Sequence, residues 1–226
     1  LGTPAYKIAS FEAIDLKLIE YVASTKKPMI ISTGMANSDE IAEAIKTAKE
    51  NGCKQLAILH CVSGYPAPVT DYNLRTIPDM IENFGTVTGI SDHTLDNTTS
   101  IAAVSLGASI IEKHFTLDRD GGGPDDSFSL ELEDMTNLCS GAKSAWSALG
   151  EINYERKTSE ESNIKFRRSL YFVKDIAEGE VITEDHIKSI RPGYGLAPKH
   201  YNEVVGKKAI KKAVTGTALG WEYIVK

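Results

Sequence analysis

Short apolar runs punctuate residues 1–150, each ending in polar or glycine-rich positions and each separated from the next by sequence of helical period. Ala5–Ser10 (AYKIAS), Pro28–Ser32 (PMIIS), Leu56–His60 (LAILH), Val87–Ser91 and Ser109–Phe115 read as buried strands. Helices are expected around Asp15–Ser24, over Ile41–Lys49 with Ser38 or Asn37 as N-cap, over Arg75–Asn83, across SIAAVSLGAS (100–109) and over Glu131–Leu149. Strand and helix thus alternate at a spacing of roughly 25–35 residues, which predicts right-handed βαβ units in one parallel sheet. Polar residues gather after each strand: Ser10 and Glu12, Ser32–Gly34, Ser63–Tyr65, Ser91–His93 and Thr116–Asp125. Turn chemistry alone explains any single cluster, but their recurrence on one side predicts the open face of a (β/α)₈ barrel. The fold class is therefore α/β, a partial TIM barrel of about five βα units. Five units leave such a barrel unclosed, so the chain is expected to be the C-terminal part of a longer protein lacking about three N-terminal units.

The texture changes at Glu151–Arg168 (EINYERKTSEESNIKFRR), which reads as a linker. Residues 169–226 then read as a small second domain of short strands and tight turns, with a helix-like patch TEDHIKS (183–189) and the turn RPGYGL (191–196). The domains expected are thus 1–150, the linker 151–168, and 169–226.

Charge and cysteine usage narrow the function classes. A net charge of −6 argues against non-specific nucleic-acid binding, yet leaves room for a phosphorylated small substrate held by a few local donors. No apolar run is long enough to span a bilayer, and no secretory leader is expected. Three cysteines, Cys53, Cys61 and Cys139, fit a reducing compartment better than a disulfide framework, so a cytoplasmic location is expected.

The candidate chemistry lies in ISDHTLDNTTSIAAVSLGASIIEKHFTLDRDGGGPDDSFS (90–129). His93 and His114 each follow an apolar run, at the C-terminal ends of two strands that one helix joins, so their rings can meet. Asp125 follows in a glycine-rich loop. Two imidazoles and a carboxylate suit a facial site for one divalent cation with positions open to substrate. Histidines that merely hydrogen-bond inside a packed core remain the alternative, and the spacing alone favours it.

The motifs YKIASFE, PMIISTGM, HCVSGYPAP, GISDHTLDN, IIEKHFTLDRDGGGPDDSFSLE and RRSLY…RPGYGL, in this order, resemble the sialic acid synthase family. That resemblance implies a (β/α)₈ barrel followed by an antifreeze-like SAF domain. It implies condensation of phosphoenolpyruvate with the open-chain aldehyde of an acetamido sugar, with release of phosphate. GGGPDDSFSLE, RRSLYFVKDI and RPGYGL resemble the pseudaminic acid branch most, which implies 2,4-diacetamido-2,4,6-trideoxy-L-altrose as the sugar; N-acetylneuraminate and legionaminate formation are the alternatives in the family. An inactive barrel fragment with a sugar-binding module is the alternative outside it, and these residues alone are expected to show negligible turnover.

By the same resemblance, His93 and His114 ligate a divalent metal, Mn²⁺ with Mg²⁺ or Co²⁺ as alternatives, and Asp125 holds or acts on a metal-bound water. Lys7, Ser10, Ser32, Ser63 and Ser91 match the phosphoenolpyruvate positions, and Glu12 a sugar-hydroxyl contact. Arg191 corresponds to an arginine that reaches a partner subunit's barrel, which implies a domain-exchanged homodimer, and Tyr194 is expected to affect sugar selectivity. Lys7 and Ser10 have opposite strand parity, which alternation does not explain. His60 is expected to be a satisfied interior histidine, Tyr65-Pro66 to shape its loop, and His186 and His200 to lie on the surface. Leu132 stands where the family carries a proline at a helix start.

Overall fold

The computed structural model describes residues 2–224. The chain forms two compact units, Leu1–Glu151 and Ile152–Lys226.

The first unit is a five-stranded parallel sheet, β1 (Tyr6–Ile8), β2 (Met29–Ser32), β3 (Leu56–Cys61), β4 (Val87–Asp92) and β5 (Ile111–Lys113), whose spatial order follows the sequence. Helices α1 (Leu16–Ser24), α2 (Ser38–Glu50), α3 (Thr76–Phe84) and α4 (Thr98–Ser105) connect successive strands, and α5 (Leu132–Leu149) follows β5. This is the partial barrel that the sequence predicts.

Local chemistry sets the helix starts. Asn37 is the N-cap of α2: its Oδ1 accepts from the backbone N–H of Asp39 at 2.9 Å and of Glu40 at 3.0 Å, while Glu40 Oε2 accepts from the Asn37 N–H at 2.8 Å. Asp15 caps α1 in the same way, accepting from Leu18 N–H at 3.0 Å. At α5, Glu131 and Asp134 form a capping box, so the start holds without a proline. The inner faces of α1 (Ile19, Val22, Ala23) and α2 (Ala44, Ile45, Ala48) bury against Met29, Ile31, Leu56 and Ile58 of the sheet. That apolar layer fixes the strands from outside and leaves their C-terminal ends free to carry polar groups.

β1 is shorter than AYKIAS suggests. The chain leaves it after Ile8 into a single 3₁₀ turn, Ser10–Glu12, which resolves the parity of Lys7 and Ser10: Ser10 is not on the strand. At the other edge, Phe115 and Leu130 form a parallel bridge, with Leu130 N–H donating to the His114 carbonyl at 2.9 Å. The loop between them is therefore closed at its base.

The second unit packs Leu170, Phe172, Ile176, Ile182, Ile187, Val204 and Leu219 into its own core. TEDHIKS is not helical. Thr183–His186 is a turn closed by the Thr183 hydroxyl on His186 Nδ1 at 2.8 Å, and β7 (Ile187–Ile190) pairs antiparallel with β6 (Ser169–Phe172). The acidic TED stretch imitates a helix N-terminus, but Ile187 is buried in the core and Lys188 exposed, as on a half-buried strand. His186 is only 14% exposed at its side chain, beside Glu180, so it is less of a surface residue than the sequence suggests. The RPGYGL turn is held by Ser169, whose Oγ donates to the Pro192 carbonyl at 2.8 Å and accepts from Gly195 N–H at 2.9 Å.

Candidate active site

The C-terminal ends of the five strands bring most of the expected residues together. Glu112 of β5, which the sequence reading did not single out, is the centre of one cluster. Its Oε1 accepts from Ser91 Oγ at 2.8 Å and Ser32 Oγ at 3.5 Å, and lies 3.4 Å from Lys7 Nζ. A carboxylate thus stands where one cation and two hydroxyls converge. The signal for it was parity: Glu112 precedes His114 by two residues, as Ser91 precedes His93, so all four share the inner face.

Ser10 and Ser63 form a second cluster around Gly34. Ser10 Oγ accepts from Gly34 N–H at 3.1 Å and donates to Cys61 Sγ at 3.3 Å. Ser63 Oγ is buried and finds no hydrogen-bond partner among the described residues. A buried hydroxyl left unpaired costs about 1–3 kcal/mol, so Ser63 favours a ligand that supplies an acceptor or donor.

His93 and His114 stand with ring centres 5.3 Å apart. Two rings that share one cation through adjacent coordination positions stand about 5 Å apart. The His93 ring is oriented through Nδ1, 2.8 Å from the Val62 carbonyl, while Nδ1 of His114 faces Asp125 Oδ2 at 3.5 Å, beyond a normal hydrogen bond. An acceptor on one ring nitrogen fixes the imidazole and leaves the other nitrogen as the available ligand. The residues therefore fit a cation held by two imidazoles. The three-donor set of His93, His114 and Asp125 is not formed: among the described residues no group of three or more His, Cys, Asp or Glu side chains is arranged to hold a metal ion. Asp125 is instead turned against the His114 ring.

Aromatic side chains cover the pair. Tyr65 stacks at 4.3 Å on His93, and Phe128 meets His114 edge-on at 5.1 Å. Tyr65 therefore does more than shape its loop. Beside the imidazoles lies a cavity of about 250 Å³ lined by Ser91, His93, Glu112, Lys113 and His114. Tyr72, fully buried behind the site, accepts from the His93 backbone N–H at 2.6 Å and donates to the Ser91 carbonyl at 3.3 Å. Burial pushes its phenol well above the ordinary range, so that proton stays on.

Electrostatics separate the two imidazoles. Burial lowers His93, but the Cys61 thiol, the Val62 carbonyl and the Asp92 charge together raise it above its usual value. Burial would raise the Cys61 thiol, yet His93, Ser10 and Ser91 bring it below its usual value. His114 is lowered, first by burial and then by the neighbouring His93, against the pull of Asp125 and Glu112. His60 stands apart from this chemistry: its Nε2 bonds the Tyr72 carbonyl, and burial lowers its pKa.

Glu12, on the 3₁₀ turn, is exposed and bonds none of these groups; Arg191 and Tyr194 are exposed on the RPGYGL turn of the second unit.

Residues 1–154 match the family model described as the NeuB family, and residues 167–225 match the SAF domain. A pseudaminic acid synthase of Helicobacter pylori is 42% identical over 97% of this chain and 65% of its own length. An N,N'-diacetyllegionaminic acid synthase of Campylobacter jejuni is 40% identical over 93% of this chain and 64% of its own. The crystal structure of a spore coat polysaccharide biosynthesis protein from Bacillus subtilis superposes with a TM-score of 0.62 at 34% identity, covering 98% of this chain and 68% of that one. The chain thus spans a little under two thirds of the curated relatives it matches. On these matches, and on the order of motifs along both units, the chain belongs to the NeuB family of sialic acid synthases.

Proposed function

We propose that this chain is the site-bearing part of a phosphoenolpyruvate-dependent nonulosonic acid synthase, a cytoplasmic transferase of the pseudaminic type acting on 2,4-diacetamido-2,4,6-trideoxy-L-altrose. The observation that carries the reading is the juxtaposition of two facing imidazoles with a cluster of one lysine and several hydroxyls, including the unpaired Ser63. Similarity to a pseudaminic acid synthase supports the choice of sugar.

In this reading Lys7, Ser10, Ser32, Ser63 and Ser91 bind the phosphate and carboxylate of phosphoenolpyruvate as a cation and short hydroxyl donors. His93 and His114 would hold a divalent cation, Mn²⁺ by family resemblance, and that cation would supply Lewis-acid polarisation of the sugar's carbonyl oxygen. Tyr65 and Phe128 keep bulk water from the centre. C3 of the enol attacks the carbonyl carbon, water adds at C2, and phosphate departs. Asp125 faces His114, and Glu112 gathers Lys7, Ser32 and Ser91 around one carboxylate oxygen. Glu12, Tyr194 and Arg191 contact the sugar, with Arg191 offered by the partner chain of a homodimer.

Thermal unfolding with Mn²⁺ and phosphoenolpyruvate tests the site. Ligand at about 100 times its Kd stabilises by about 2.7 kcal/mol, so Tm rises if the pocket binds. An unchanged Tm overturns the reading in favour of a barrel remnant. Phosphate release, ranked by kcat/KM over a panel of acetamido sugars, decides between pseudaminic and legionaminic chemistry.

A further inference from the structure

Asp92 and Lys113 form a buried ion pair that neither the family resemblance nor the proposed chemistry uses. They are register partners on β4 and β5, each the last residue of its strand and each immediately before a site histidine. Their side chains are 0% and 3% exposed, with Asp92 Oδ2 3.2 Å from Lys113 Nζ. Both groups make further hydrogen bonds. Asp92 accepts from Thr94 N–H at 2.8 Å and from Ser100 Oγ of α4 at 2.5 Å. Lys113 also donates to the carbonyls of Thr94 at 2.5 Å and Asp96 at 2.8 Å.

Such a pair adds little net stability, because desolvating both charges offsets their attraction. What it does supply is geometry. The ammonium binds the strand before it and two carbonyls of the turn after His93, so β4, its exit turn and β5 move as one body. Along the ladder Ser91 and Glu112 bond to each other, Asp92 and Lys113 pair at the next position, and the two imidazoles follow.

We infer that the Asp92–Lys113 pair is a positioning device that sets the separation and orientation of His93 and His114. The metal-binding consequence rests on the proposed cation site; the geometric claim does not. Asp92 and Lys113 are positioning residues: with Nζ already donating to three oxygens, Lys113 has no hydrogen left for substrate.

The test uses the whole chain carrying Asp92→Asn and Lys113→Met together, so that no lone charge is left buried. Ser100→Ala is a milder companion that changes no charge. Two readouts are taken: imidazole NMR signals of the metal-free protein, and Mn²⁺ affinity by electron paramagnetic resonance, with His93→Ala and His114→Ala as controls. In the double variant the ring signals of His93 and His114 shift or broaden while His60 stays fixed, and Mn²⁺ affinity falls about 10-fold or more. Ser100→Ala weakens Mn²⁺ about 3-fold and serves alone if the double variant does not fold. Unchanged ring signals with wild-type affinity overturn the inference. If the histidine variants bind Mn²⁺ as the wild type does, the cation reading fails instead, and the ring signals alone still decide the geometric claim.

Discussion

The two ends of the parallel sheet differ in chemistry more than in shape. At the N-terminal ends lies the larger hollow, about 610 Å³, bordered by Pro28, Met29, Leu56, Ala57, Val87 and Ile110 among others. At the C-terminal ends the hollow is about 250 Å³ and is bordered by hydroxyl, carboxylate and imidazole groups. Volume would choose the wrong end. What distinguishes the smaller hollow is its polar lining: two facing imidazoles and a carboxylate on which Lys7, Ser32 and Ser91 converge. Parallel strands collect such groups at one end because helices enter the other end through apolar packing.

Three substitutions sharpen or break that contrast. The largest effect is expected from His114→Ala, which removes one of two imidazoles. Mn²⁺ affinity should fall by at least about 100-fold with little change in denaturant midpoint; near-normal affinity would show that the polar end is not a cation site. At the opposite end, Met29→Ala empties a fully buried position, 1% exposed, beneath α1 and α2. Urea unfolding should show a loss of about 2–5 kcal/mol, while phosphate and Mn²⁺ affinities of the folded chain stay unchanged. Coupled loss of binding would mean that the two ends are not independent. The smallest effect is expected from Glu112→Gln. Removing a negative charge from among Lys7, Ser32 and Ser91 should tighten inorganic phosphate by about 10-fold in calorimetry. Weaker phosphate binding would show that the carboxylate organises these donors rather than competing with an anion for them.

The sequence made the strands and their order legible because each is a dense apolar run closed by polar residues, and buried parallel strands carry that pattern in full. The meeting of His93 and His114 was legible from their places at the ends of adjacent strands, and the inward face of Ser91 from its spacing to His93. Glu112 was passed over despite its parity with His114, and the Asp92–Lys113 pair carried no such signal; the reason is common to both. A charged residue inside a strand reads as solvent-facing, and only the neighbouring strand's register reveals the partner that satisfies it. Ser10 was misplaced on a strand because AYKIAS is apolar throughout, whereas the backbone turns after Ile8. TEDHIKS failed differently. Its acidic start is cap chemistry, and a tight turn uses the same residues as a helix entrance.

Gly34 carries a consequence of its own. A β-carbon built there falls 2.2 Å from Ser63 Oγ and 2.8 Å from Ser10 Oγ, inside the contact distance of both hydroxyls. One methyl group at this position forces both hydroxyls to turn away at once, and neither imidazole is among its nearest neighbours. Gly34→Ala therefore addresses the Ser10–Ser63 pair apart from the His93–His114 pair within a single fold.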